Sequence, residues 1–334
     1  MKKILCAFTA LLLILSCASI TTGLAEEQHL NVVTTIFPIY DWVRETVGDD
    51  ASHVNLTLLL DNGVDLHSYQ PTAQDILTIS TADLFVYVGG ESDEWVEDVL
   101  ASAMNPDLKA ISLVEAMGED IRMEELVEGM EPEHDHDHEE AENQEHEEEH
   151  EHEEEEEADE HVWLSLRCAR KLTAAIADTL AEIDPGFAGQ YQANAAAYLE
   201  KLSALDTQYA ETVSTAAFKT ILFGDRFPFR YLADDYGLSY YAAFSGCSAE
   251  SEASFATILF LAQKIDELGL PAVLTIEHPK TRIADTVVQN TASKNQKILV
   301  LDSMQGTTSA DIAAGMTYLS VMESNLEVLK EALN

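Results

Sequence analysis

The sequence predicts an α/β protein of two lobes, each a parallel-type sheet flanked by helices, with a long rigid helix joining them. Three observations predict this class. At 334 residues and 46% hydrophobic side chains, the chain can fill two cores. Short apolar or β-branched runs alternate with runs of helical spacing twice over, the pattern of a parallel sheet with crossover helices. Between the two series lies a stretch rich in Ala, Leu, Gln and Glu, which favour helix.

The first series opens with LNVVTTI over Leu30–Ile36, short and β-branched and therefore a strand. Helical spacing follows over Tyr40–Val47. VNLTLLL over Val54–Leu60 is the next strand, and Thr72–Ile79 is a short helix with polar caps. Leu84–Val88 is a strand, Trp95–Ala103 a helix and Ala110–Leu113 a fourth strand. Leu166–Ile183 and Gly186–Thr212 are long helical patterns, punctuated by Asp184-Pro185. The second is roughly 40 Å long at 1.5 Å per residue, the length of a strut between lobes. The second series gives strands at Phe218–Phe223, Ser239–Phe244, Ala272–Ile276 and Ile298–Leu301. Helices at Phe229–Asp235, Ala253–Leu268 and Arg282–Ala292 alternate with them, and one long helix, Ala310–Leu333, ends the chain. The expected division is 1–25 as an export signal, 26–185 as the N-terminal lobe, 186–214 as the linking helix and 215–334 as the C-terminal lobe. Ligands of such sheets sit at the carboxyl ends of the strands, here in the cleft between lobes.

Charge narrows the function. The 61 Asp and Glu against 18 Lys and Arg leave a net charge of −43, which repels phosphate backbones and argues against nucleic acid and against a basic membrane-binding patch. Nineteen of the acidic residues fall in one insert, 131–160, with six His and no Lys or Arg. A solvated acidic linker has no need of imidazole, so His134, His136, His138, His146, His150 and His152 read as weak, labile metal-binding groups.

The N-terminus has Lys2 and Lys3 before an apolar run from Ile4 to Leu15, the shape of an export signal and too short for a confident span. Two endings compete: a lipoprotein box at Ile14-Leu15-Ser16-Cys17, with Cys17 lipidated, or a small-residue cleavage site at Gly23-Leu24-Ala25. Either places the mature protein outside the cytoplasmic membrane, lipid-anchored to its outer face or periplasmic. Cys168 and Cys247 are then left either as one disulfide or as two unpaired thiols. There is no C-x-x-C, so nothing in the spacing supports thiolate zinc chemistry.

Outside the insert, several metal-capable side chains stand at strand exits or helix entries. His67 follows Val54–Leu60 in GVDLHSYQPTAQD, and His161 stands where the insert gives way to VWLSL. Asp225 follows a strand through ILFG, Glu277 and His278 follow AVLTI, and Asp302 follows ILVL. Singly, each is a surface His, a turn former or a cap. Together, imidazole with carboxylate suits Zn, Mn or Fe. No G-x-S-x-G, P-loop lysine, G-x-G-x-x-G or H-E-x-x-H is present.

NVVTTIFPIYDWVRETVGD, LHSYQPTAQD, HVWLSL after an acidic His-rich insert, FRYLADDYGL, ASFATILFLAQKI and KILVLDS together resemble the ABC-transporter substrate-binding proteins for zinc and manganese (cluster A-I), in particular the ZnuA-like zinc branch. The resemblance covers nearly all of the mature chain. It implies a single metal buried between two lobes, with His67 and His161 as the first two ligands and Asp302 on the aspartate that some members use as a fourth. His161 stands in DEHVWLSL, where the family motif resembles D-P-H-V-W-L-D-P. The third ligand, usually His, or Glu in manganese-type members, falls on Arg226, which cannot ligate a cation. Asp225 is the first replacement, with Glu277 and His278 behind it. The implied function is non-catalytic: capture of Zn(II), with Mn(II) possible, and delivery by a monomer to an ABC permease and its ATPase. The alternatives are a Mn/Fe receptor of the same type, a metal-dependent hydrolase with Glu277 as base, and a metal buffer or adhesion lipoprotein built on the insert.

Overall fold

The structure, a computed structural model, describes residues 29–48, 52–130, 157–248, 252–277 and 281–334. In the first lobe β1 (Leu30–Thr34), β2 (Val54–Leu58), β3 (Leu84–Tyr87) and β4 (Lys109–Ser112) form one parallel sheet in the order β2-β1-β3-β4. Val32 pairs with Leu56 on one side and Leu84 on the other. Its helices are α1 (Phe37–Val47), α2 (Ala73–Ser80), α3 (Trp95–Ala101) and α4 (Leu113–Met117). Val32, Leu84 and Val86 face the main core. Val33 and Phe85, one residue out of phase, fill a smaller core with Ile79, Val96 and Val99. Both faces are therefore apolar, as a helix-covered parallel sheet requires.

Two helices follow, α5 (Leu166–Ile183) and α6 (Ala188–Thr215). The 28 residues of α6 span about 42 Å. Tyr191, Ala195, Tyr198, Leu202, Leu205, Tyr209 and Val213 recur at helical spacing and are buried along its length. Near its start Asn194 Nδ2 donates to Thr46 O at 3.1 Å, in the first lobe. Near its end Tyr209 Oη donates to Met322 O at 2.6 Å, in the second.

The second lobe contains β5 (Thr220–Leu222), α7 (Arg230–Tyr236), β6 (Ser239–Tyr241), α8 (Phe255–Leu268), β7 (Ala272–Thr275), α9 (Arg282–Asn290) and β8 (Lys297–Val300). β5–β6 and β7–β8 are parallel pairs, and the parallel bridge Phe223–Leu274 joins them in the order β6-β5-β7-β8. The chain ends in two helices, α10 (Ser309–Ala313) and α11 (Tyr318–Ala332), where the sequence reading expects one. Gly315, at φ 98°, ends the first helix in a conformation that other residues rarely adopt. Thr317 starts the second by accepting from Ser320 N at 3.0 Å.

One hydrophobic core runs through both lobes, containing Val32 and Trp42, Leu172 of α5, Phe223, Leu274 and Tyr318. Cys168 and Cys247 are both free, so the disulfide alternative is not formed. Among the described residues no helix is long and apolar enough to cross a membrane.

Candidate metal centre

His67 stands in a single 3-10 turn, Leu66–Ser68, in the loop after β2. Asp65 caps that turn, its Oδ1 accepting from His67 N at 3.0 Å. The ring is held at both nitrogens. Nδ1 meets Ser92 Oγ at 2.8 Å, and Nε2 faces His161 Nε2 at 3.1 Å. Ser92 belongs to the turn after β3, which begins at Gly89-Gly90. A Cβ at Gly90 (φ +77°) would lie 2.4 Å from Glu160 Oε1. Only glycine lets this turn close on the segment that carries His161.

His161 arrives through the stems of the insert. Met123 and Ala158 form an antiparallel bridge, with Glu124 N donating to Glu157 O at 2.7 Å and Asp159 N to Arg122 O at 2.8 Å. The chain is thus pinned just before Asp159, whose Oδ1 meets His161 N at 2.9 Å and Nδ1 at 3.0 Å. A carboxylate that accepts from Nδ1–H keeps the proton on that nitrogen and leaves the lone pair of Nε2 facing outward, the tautomer that a metal ligand needs. Trp163 Nε1 donates to Ser303 O at 2.9 Å and Tyr318 Oη to Trp163 O at 2.7 Å. Ser165, where the family motif has Asp, caps α5 by accepting from Arg167 N and Cys168 N.

A third ligand-capable group comes from the other lobe. Cys247 lies in the loop after β6, and the ligand atoms of His67, His161 and Cys247 all lie within 4.8 Å of one another. Gly246 makes the approach close: a Cβ there would sit 3.0 Å from His161 Cε1 and from Phe227 O. Among the described residues this is the one such group of three.

The surroundings are acidic and dry. Asp159, Glu160 and His161 are buried. Burial, then the His161 ring, push His67 down to about 3, which keeps its imidazole neutral. Burial acts to raise Asp65, but Arg226 and His67 outweigh it and hold the carboxyl below its usual range. Burial, then the Glu124, Glu160 and Asp159 carboxylates, push the Cys247 thiol far above its ordinary value. Glu160 Oε1 accepts from Ser92 N at 2.9 Å. Its Oε2 is buried without a hydrogen-bond partner, 3.8 Å from His67 Nδ1.

The remaining residues expected at the site are placed differently. Arg226 ion-pairs with Asp65. Its neighbour Asp225 accepts from Arg226 N at 2.9 Å and from Ile276 N at 3.3 Å, so this carboxylate ties β5 to β7 and is not grouped with the two His. Glu277 takes backbone N–H from Ser303, Gln305 and Gly306 at 2.7, 2.8 and 3.0 Å, as the anion in a nest. Asp302 follows β8, its Oδ1 accepting from Met304 N at 2.8 Å; burial, then Glu277, raise it to about 6. His278, Cys17 and the insert residues His134, His136, His138, His146, His150 and His152 lie outside the described residues. Cys247 is the residue that sequence reasoning missed. Its one sequence signal is its place, in Ser-Gly-Cys just past the strand expected at Ser239–Phe244. Two imidazoles and a thiol around one small space, ringed by carboxylates, form a donor set for a borderline-soft divalent cation.

The family model described as zinc-uptake complex component A, periplasmic, matches residues 32–332. The zinc-binding lipoprotein AdcA of Streptococcus pneumoniae serotype 4 is 36% identical over 335 residues, covering 99% of this chain. This chain spans only 61% of that relative's length. The high-affinity zinc uptake system protein ZnuA of Bacillus subtilis is 32% identical over 325 residues, covering 96% of this chain and 94% of the relative. Among solved structures, the Zn(II)-bound ZnuA-like domain of S. pneumoniae AdcA matches at a TM-score of 0.68 and 31% identity, covering 91% of this chain and 99% of that domain.

Proposed function

The chain belongs to the family of zinc-uptake complex component A, and from that membership we propose that it captures Zn(II) outside the cytoplasmic membrane and passes it to an ABC permease and its ATPase. The family is one of metal-binding transport receptors, not enzymes, which sets the hydrolase alternative aside. His67 and His161 hold the ion in this reading. The observation that carries it is the pair of Nε2 atoms 3.1 Å apart, with Ser92 and Asp159 occupying the two Nδ1 positions. Tetrahedral zinc at about 2.0–2.1 Å from each of two imidazole nitrogens sets those nitrogens about 3.3 Å apart, so the pair is already close to a liganding edge. Asp302, at the carboxyl end of β8, is the carboxylate proposed to approach the ion from the second lobe.

The insert collects cations for this site. Its stems are pinned at Met123 and Ala158, three residues before His161, so ions gathered on its imidazoles are released beside the cleft. The export signal and the lipoprotein named among the relatives support a location on the outer face of the membrane.

Zinc titration of the chain with and without residues 131–156, a deletion that keeps the Met123–Ala158 bridge, Asp159 and Glu160, tests the proposal. One tight site is expected to survive the deletion and to be lost in His67→Ala, while the weak sites of the insert persist in that variant. Loss of all binding with the insert would assign the protein to buffering instead. Undiminished tight binding in His67→Ala would remove the cleft assignment.

A further inference from the structure

We propose that Cys247 is the third protein ligand of the transported ion, giving a two-imidazole, one-thiolate site that selects zinc-like cations over manganese. The inference rests on the receptor reading and adds to it the donor that replaces the family's third ligand. Arg226 occupies the position where the resemblance expects that donor, and its guanidinium is held in the ion pair with Asp65. Asp225 beside it is engaged by the backbone amides of Arg226 and Ile276. The second lobe therefore offers the ion a different atom at this place, Cys247 Sγ, within 4.8 Å of both imidazole donors.

Geometry supports the assignment. For tetrahedral zinc with Zn–N of about 2.0–2.1 Å and Zn–S of about 2.3 Å, nitrogen and sulfur lie about 3.6 Å apart. Sγ, within 4.8 Å of both nitrogens, is therefore at most about 1.2 Å beyond that separation. Gly246 supplies the room, since its missing Cβ is what lets the Cys247 loop press against the edge of the His161 ring.

A second observation points to a cation independently of the cysteine. Glu160 is 2% exposed, and its Oε2 is buried with no hydrogen-bond partner beside His67. This carboxylate lies on the Nδ1 side of the His67 ring and adds to the negative potential around the site, which favours a cation there. Asp159 and Glu124 flank the same space: Asp159 meets the His161 ring, and Glu124 Oε1 accepts from Cys247 N at 3.1 Å. On binding, the thiol proton leaves to solvent and the thiolate forms the bond to the metal. A thiolate suits zinc and cobalt, whereas manganese prefers oxygen donors. These three donors leave a fourth position, the one proposed for Asp302, at which the ion can exchange.

Cobalt(II) serves as the probe in the full chain. Stoichiometric Co(II) is expected to give a sulfur-to-cobalt charge-transfer band in the near ultraviolet, which imidazoles and carboxylates of the insert cannot produce. Cys168→Ser should keep the band. Cys247→Ser and Cys247→Ala should lose it, with unchanged circular dichroism and zinc affinity lowered tenfold or more. A wild-type protein that binds cobalt tightly without the band overturns the inference, whatever the variants do, and so does a band that survives in Cys247→Ser. Tight zinc binding that depends on His67 and His161, in a protein whose cobalt complex lacks the band, removes only the sulfur ligand. Binding indifferent to both His removes the receptor reading itself.

Discussion

Asp41 lies wholly buried beneath α11, where its Oδ2 accepts from Tyr318 N at 2.8 Å and its Oδ1 pairs with Arg44. Burial raises its pKa from 3.8 to about 6, and Arg44 offsets this only in part. Because the folded value is raised, the contribution of this carboxyl to stability is fully present below the ordinary value and is lost as pH rises through about 6. Asp41→Asn is therefore expected to stabilise the fold at pH 7.5 by about 1–3 kcal/mol, with the gain vanishing near pH 4. Thermal melts across that range check it, and a gain independent of pH would contradict the burial argument. At the same scale, the legibility of the site divides by chemistry. His67 and His161 were readable because each stands at a loop boundary inside a motif with few alternatives. Asp225 and Glu277 were equally well placed at strand ends, but sequence cannot show that their oxygens are spent on backbone N–H groups. Cys247 was unreadable as a ligand because its partners come from the opposite lobe, with no local spacing to mark it.

The elements themselves were mostly legible, since their apolar runs are short, bounded and regularly alternating. The exception is the C-terminal helix. A lone Gly315 is tolerable in a helical pattern, and Thr317 with Ser320 is a weaker start signal than Thr with Glu. The break emerges only when Gly315 adopts positive φ and the two hydroxyl groups cap reciprocally. Removing the cap should be felt: Thr317→Ala is expected to cost about 1 kcal/mol in chemical denaturation. No loss of stability would mean that α11 is held by Tyr318, Val321, Met322 and Leu326 packing alone.

For the whole molecule the decisive feature is the shared core. Two lobes with separate cores would unfold separately, but Trp42, Leu172, Tyr209, Phe223, Leu274 and Tyr318 belong to one cluster. Calorimetry of the metal-free protein is expected to give a single cooperative transition, with calorimetric and van't Hoff enthalpies in agreement. Two resolved endotherms would show that α5, α6 and α11 do not weld the lobes. The first lobe runs β2-β1-β3-β4 and the second, through its bridge, β6-β5-β7-β8. This is one strand order written twice. His67 follows the second strand of the first copy and Cys247 the second strand of the other, so the imidazole and the thiol occupy corresponding stations. Superposing one half on the other should carry the His67 loop onto the Cys247 loop, leaving His161, delivered by the insert, as the donor without a counterpart.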